Sequence, residues 1–555
     1  MRICLPVLVL AAVACAQDKV DLNVVHQIRA EAFDNSKVMD TLWRLTDVYG
    51  PRLTGSPDAR EAGEWAAKTL EGYGLTSVHL EKWGPFGRTW SAREYWVEMN
   101  APRYAQLPVV PLAWSKSTNG PVSGPVIYAP LGGTARTLDP KKYGAQIDTW
   151  ENKYKGVLRG KIVLLTREQK IALPEKPESA RYTDAELADL ARAPEPHARI
   201  QVDLEHLDVP DDPKEAREYM MSLPPDVREQ MFDARDAVRA KLNQFLLDEG
   251  VLAVIATDQR AHTGMLFAEQ AGGYDPKYPM APPTFVLTAE QYNRLARLAE
   301  KNIPEKITVD LKADTSDTPV DSFNIIGEIP GGAKKDEVVM IGGHFDSWHS
   351  ATGATDNGAG SAVMMEVMRV LKALDLKMDR TVRIGLWTGE EQGLLGSKAY
   401  VKEHFGDPET MKITEQHAKL SGYFNLDNGS GKIRGVYLQG NDAIRPLFEQ
   451  WLAPFRDLGV TTITIRNTGG TDHLSFDAVG LPGFQFIQDE LDYSTITHHS
   501  DLDTYDHVQA ADLMQAVAVI ASLVYDAANR PEMLPRKPLP KAKEQAGRAA
   551  AGAGR

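Results

Sequence analysis

Five short segments in the second half of the chain hold carboxylates and imidazoles that could bind a pair of metal ions. They are His344-Phe-Asp346, Asp356-Asn-Gly, Glu390-Glu391-Gln, Asp427-Asn and His498-His499-Ser-Asp-Leu-Asp503. Zinc accepts both ligand types. A two-metal hydrolytic centre needs a carboxylate that bridges both ions, two terminal ligands for each ion, and an uncoordinated base for the water proton. The five segments supply such a set. Asp356 alone would read as a helix N-cap, but its place shortly after His344 favours a ligand. Asp346, two residues after His344, suits a group that orients the imidazole through its other ring nitrogen. In Glu390-Glu391 the adjacent side chains point in different directions, so one can coordinate while the other faces water. Of His498 and His499, one is expected as a ligand and the other either as its supporting neighbour or against substrate. Asp472 and His473, in Thr471-Asp472-His473, join His498 as candidate substrate-binding residues.

The elements that must carry these residues alternate. From about 320 to 530, apolar strands at Val338 to Ile341, Val382 to Trp387, Tyr423 to Leu426, Thr461 to Ile465 and Phe484 to Ile487 are separated by helical stretches. Such alternation predicts an α/β sandwich with a parallel or mixed sheet. His344, Glu390 and Asp427 follow strands directly, and ligands in open α/β sheets bind outside the carboxyl ends of strands. Residues 20–75 read as helical around a Gly50-to-Pro57 turn. From about 120, short strands at Val126 to Tyr128, Lys161 to Leu165 and Val251 to Ile255 stand between glycines, with a charged, proline-rich helical stretch at 166–240. The bland reading of that stretch is a solvated elaboration; the functional one is a lid or a dimer contact. The tail, 531–555, is basic and rich in Ala, Gly and Pro, and is expected to be disordered.

Bulk composition narrows the function classes. A chain of 555 residues exceeds one ordinary domain, and its 43% hydrophobic and 25% charged residues are those of a globular protein. Net charge is -14, which argues against nucleic acid, since phosphate binding needs a basic face. Residues 1–16 carry the pattern of a secretory signal, with an apolar run too short for a stable membrane span and cleavage expected after Ala16. The two cysteines, Cys4 and Cys15, both fall in it. Cys15 as a lipoprotein anchor is the lesser alternative. The expected location is periplasmic or extracellular. The sequon Asn428-Gly429-Ser430 adjoins Asp427, where a glycan would obstruct the site, and is read as unused.

Taken together the motifs resemble the zinc-dependent exopeptidases of metallopeptidase family 28. The resemblance rests on His344-x-Asp346, Asp356-Asn-Gly, Glu390-Glu391, Asp427, and His499 with Asp503-Thr504 four residues on; it extends loosely to Leu45 through Pro57, Trp65 and Gly74-Leu75. It implies a three-layer α/β/α zinc-exopeptidase sandwich with a mixed sheet. The cues Leu158 to Val163 and Pro283 to Leu287 are similar to the family's inserted, β-rich protease-associated domain. The implied division is catalytic sequence at 17–119 and 301–530, with the inserted domain at 120–300. Two zinc ions are implied: Asp356 would bridge them, His344 and Asp427 would hold one, Glu391 and His499 the other. Glu390 would be the general base and Asp346 would orient His344. The family's spacing selects His499 over His498. The gap from Glu391 to Asp427 is longer than the family's, so a short insertion is expected between Phe405 and Ser421. The implied activity is cleavage of peptides by an exported aminopeptidase or dipeptidase, with homodimerisation open. A glutamate-type carboxypeptidase, a non-catalytic receptor-like protein and a glutaminyl-cyclase-like acyl transferase are the rivals. The intact ligand set and Glu-Glu pair favour hydrolysis over the last two.

Overall fold

The computed structural model describes residues 20–131, 139–173, 175–193 and 225–542, with Leu207, Val209, Tyr219 and Leu223. The expected signal, with Cys4 and Cys15, lies outside the described residues, as do 543–555 and much of 166–240. Among the described residues the strands of the first half are β1 (76–101), β2 (105–107), β3 (109–111), β4 (122–128), β5 (162–164), β6 (253–256) and β7 (284–287). Those of the second half are β8 (306–329), β9 (334–344), β10 (380–387), β11 (406–407), β12 (412–413), β13 (420–425), β14 (433–437), β15 (462–464) and β16 (483–488).

One mixed sheet runs in the order β15-β14-β16-β13-β9-β10-β8-β4-β5-β6-β7-β3, with β1 paired to β8. The half formed by β9, β10 and β13 is sandwiched, and the strand sequences show why. Side chains alternate along each strand: Val339 and Ile341 of β9, Leu386 of β10 and Phe424 of β13 enter one core. Met340, Trp387 and Tyr423 enter a second core on the opposite face. Helices Leu22–Asp34, Ala359–Ala373 and Ala510–Asn529 cover the first face. Helices Leu395–His404 and His473–Asp477 cover the second. The chain is therefore a three-layer α/β/α sandwich in this half, as expected. Helix Ala510–Asn529 is apolar and long enough to cross a membrane, but it is buried within the first core, where an apolar helix is equally required.

The inserted unit has its own core. Strands β4, β5, β6 and β7 are parallel and β3 closes the edge antiparallel. Helices Pro140–Tyr154, Pro225–Asp248 and Ala289–Glu300 pack on this small sheet, so the unit is as helical as it is β. This core also draws on residues outside 120–300. Val97 and Met99 of β1, Leu107 of β2, and Ile307, Val309 and Leu311 of β8 lie in its core. The cause is the length of β1 and β8, which pair from Thr76 opposite Glu328 to Ala101 opposite Lys306. Both strands pass from one core into the other.

One further expectation changes. Residues 531–542 are not a loose tail: Leu534 is 2% exposed in the first core, and the Arg536 guanidinium donates to the carbonyls of His417 and Leu420. One apolar anchor and a satisfied cation fix a segment whose composition reads as disordered. The longer gap before Asp427 holds the two-stranded ribbon of β11 and β12 and a short 3-10 turn at Glu415–Lys419.

Candidate metal centre

The centre sits at the carboxyl ends of three neighbouring parallel strands. Trp387 of β10 lies opposite His344 of β9, and Asn425 of β13 opposite Gly342, so the three strands end level. Gly342 permits this closeness, since a Cβ there would stand 2.1 Å from the Gly385 carbonyl oxygen. The chain that leaves each strand then delivers its polar residue to one place: His344, the Glu390-Glu391 pair and Asp427.

His344 Nε2 lies 3.2 Å from Asp356 Oδ1 and 3.2 Å from Asp427 Oδ1. On the other side, His499 Nε2 lies 3.2 Å from Asp356 Oδ2 and 3.0 Å from Glu391 Oε2. The two oxygens of Asp356 thus face two separate imidazole–carboxylate pairs. His344 Nδ1 donates to the main-chain carbonyl of Asp346 at 3.0 Å, while the Asp346 carboxylate is 3.5 Å away. The carbonyl is therefore the closer orienting group. The Asp346 carboxylate instead accepts from Thr54 Oγ1 at 2.8 Å and from the Glu390 N–H at 3.3 Å, which ties the Gly50-to-Pro57 turn beneath the site.

The Asp356 loop is held from beneath. Asp503 accepts from the N–H groups of Thr355 and Asp356 and from the Thr355 hydroxyl. The buried Arg52 donates to the carbonyls of Leu45, Phe345, Thr352 and Gly353, and burial pushes its pKa down to about 10. His499 has a φ of 63°, uncommon for a residue with a Cβ, and its Nδ1 lies 2.9 Å from Glu269 Oε1.

The charges of this cluster suit a bound cation. Asp356 Oδ2 and Glu391 Oε1 are buried and accept no hydrogen bond, a costly state for carboxylates. Burial, then the nearby Asp356, pushes Glu391 up to about 7. Burial together with Asp427 and Glu391 pushes Glu390 well above the usual range. Despite burial, the imidazoles of His344 and His499 hold Asp356 well below it. Three carboxylates and two imidazoles with Nε2 turned inward form a donor set that zinc accepts.

The remaining candidates lie around the cluster. His498 stacks on His499 with ring centroids 3.8 Å apart, and its Nε2 is 3.7 Å from Asp356 Oδ2. Asp472 is fully buried, and burial pushes it up to about 7. His473 is also buried, and its Nε2 meets the Thr468 carbonyl at 3.2 Å. Both side chains are buried beside the cluster, and both Asp472 carboxylate oxygens lack a hydrogen-bond partner. Sequence reasoning missed Arg52, Thr54 and Glu269 as supports. The turn around Arg52 was visible; nothing adjacent to Glu269 marks it.

Residues 324–524 match the model of peptidase family M28. They form an M28 peptidase domain. Over 255 residues the chain is 32% identical to carboxypeptidase Q of Rattus norvegicus, covering 46% of this chain and 51% of that protein. It is 30% identical over 233 residues to aminopeptidase YwaD of Bacillus subtilis (strain 168), covering 41% and 48%. The chain thus spans about half the length of these relatives. The crystal structure of a peptidase M28 precursor from Shewanella amazonensis SB2B shares the fold, with TM-score 0.63, 24% identity and coverage of 93% of this chain and 98% of that one. BSAP, a zinc aminopeptidase from Bacillus subtilis, aligns with TM-score 0.54 at 19% identity, covering 89% and 94%. Every carboxylate and imidazole of the cluster except Glu269 lies inside the M28 domain.

Proposed function

We propose that the chain is an exported zinc exopeptidase, an aminopeptidase or dipeptidase, that hydrolyses peptide bonds at a two-metal centre. The observation that carries this reading is Asp356, whose two oxygens face His344 with Asp427 and His499 with Glu391. His344 and Asp427 would hold one ion and Glu391 and His499 the other, with Asp356 between them. Bound there, zinc supplies Lewis acidity and makes water a nucleophile near neutral pH.

The chain's own groups then divide the work. Glu390 starts the loop after β10 and is only partly buried. Its carboxylate takes the proton from the attacking water and returns it to the leaving amine, a role suited to a carboxyl raised by burial. Tyr493, its ring 4.9 Å from that of His498, stays protonated because burial and Asp356 push its pKa up. His498 and Trp348, whose ring is 6.0 Å from that of His499, form the wall against which a substrate end would lie.

The similarity to carboxypeptidase Q supports a second reading, removal of the C-terminal residue. One peptide set, with free, N-blocked and C-amidated ends, assayed with and without chelator, separates them. Loss on N-blocking, tolerance of the amide and sensitivity to chelator are expected. Loss on C-amidation alone would establish the carboxypeptidase, and cleavage indifferent to chelator would overturn the metal mechanism.

A further inference from the structure

The loop that carries His499 is built against the inserted unit rather than against the M28 domain alone. Phe267 and Ser500 form an antiparallel bridge. Ala268 N–H donates to the His499 carbonyl at 3.1 Å, Asp501 N–H to the Leu266 carbonyl at 2.9 Å, and Leu266 N–H to Asp501 Oδ1 at 2.8 Å. Arg260 reaches the His498 carbonyl at 3.4 Å and Glu269 Oε1 at 3.3 Å. Within this seam Glu269 meets His499 Nδ1 at 2.9 Å.

A ring nitrogen that donates to a carboxylate fixes the tautomer with the other nitrogen bare. For His499 the bare atom is Nε2, the one 3.2 Å from Asp356 and 3.0 Å from Glu391. His344 obtains the same tautomer from a main-chain carbonyl two residues away. His499 has no such local partner, and its backbone is in the left-handed region, which persists in a residue with a Cβ only where surroundings over-determine it. The surroundings here are Ala268 on its carbonyl and Glu269 on its ring.

We infer that Glu269, supplied by the inserted unit, is the positioning residue for His499, so that the second metal position is complete only with the insert docked. This rests on the zinc exopeptidase reading above. The carboxylate holds the imidazole in place and raises its basicity toward the ion; it touches neither substrate nor the reacting atoms.

The test is zinc titration of the full chain against a competing chelator, with metal content per chain measured for wild type, Glu269→Ala, Glu269→Gln and His499→Ala. Wild type is expected to hold two ions and His499→Ala to lose one. Glu269→Ala should weaken that same ion by roughly 10- to 100-fold, the range for loss of an orienting partner. Glu269→Gln, which keeps an oxygen acceptor, should recover part of the loss, and metal-free melting temperatures should coincide. The inference is overturned if Glu269→Ala titrates like wild type while His499→Ala loses an ion, or if the Ala and Gln variants fall equally with lowered melting temperatures. If wild type holds fewer than two ions, the two-metal reading itself fails.

Discussion

The two sides of the metal centre are made differently. His344 ends β9; Glu390, Glu391 and Asp427 follow the ends of β10 and β13, and sheet register brings them level. Asp356 and His499 stand on loops, and each needs partners from distant sequence. Asp356 leans on Asp503, with Arg52 under the flanking chain, and His499 leans on the inserted unit. Strand-borne candidates are therefore positioned by the fold itself. Loop-borne ones are positioned by specific hydrogen bonds that single substitutions can remove.

The largest effect is expected on the strand-borne side without touching metal. Glu390→Gln should lower kcat by about 10²- to 10⁴-fold, the range for a lost general base, while zinc per chain stays at the wild-type level. A parallel loss of zinc would mean that Glu390 is a ligand. Next, Arg52→Met removes four donations to carbonyls beneath the loop side and should cost about 3 kcal/mol or more of stability, read by calorimetry. An unchanged transition would show that the loops stand without it. Asp503→Asn places an amide where two N–H groups now meet a carboxylate. Apparent zinc affinity should fall roughly 10-fold, with the fold retained by circular dichroism. No change would shift the burden of holding Asp356 onto the metal alone.

The smallest effect tests the insert's separate core. Glu305, just before β8, is buried with Oε1 lacking a hydrogen bond, and burial pushes it up to about 7. Its folded pKa exceeds the unfolded one, so the proton is bound more tightly in the folded state. This contribution is full below about pH 4.5 and is lost as pH rises toward 7. Glu305→Gln should therefore match wild type near pH 4 and melt about 1–3 °C higher at pH 8.5. Equal shifts at both values would point to packing rather than charge.

The same division governed what could be read beforehand. The candidate residues of the strand side announce themselves because an apolar run followed by Gly-Gly-His or Glu-Glu is unusual. The three layers follow from strand alternation, with Val339 and Ile341 on one face and Met340 on the other. Glu269 was invisible because its partner lies 230 positions away and nothing local distinguishes it from a solvated glutamate. Asp472 and His473 were drawn into the site by motif, and the motif did not report that both side chains are buried. Hydrophobic patterning reports that β1 and β8 are strands, not where along them one core gives way to another.

Those two strands carry a consequence for transplantation. A module bounded by loops can be lifted out by cutting two exposed connections. Here the catalytic sheet and the insert share β1 and β8, so any graft must splice two paired strands in mid-course. A slip of one residue at either splice would turn every later side chain to the wrong face. The insert can be exchanged between relatives only with its ribbon in register, which makes it an inseparable limb of the molecule rather than a detachable cassette.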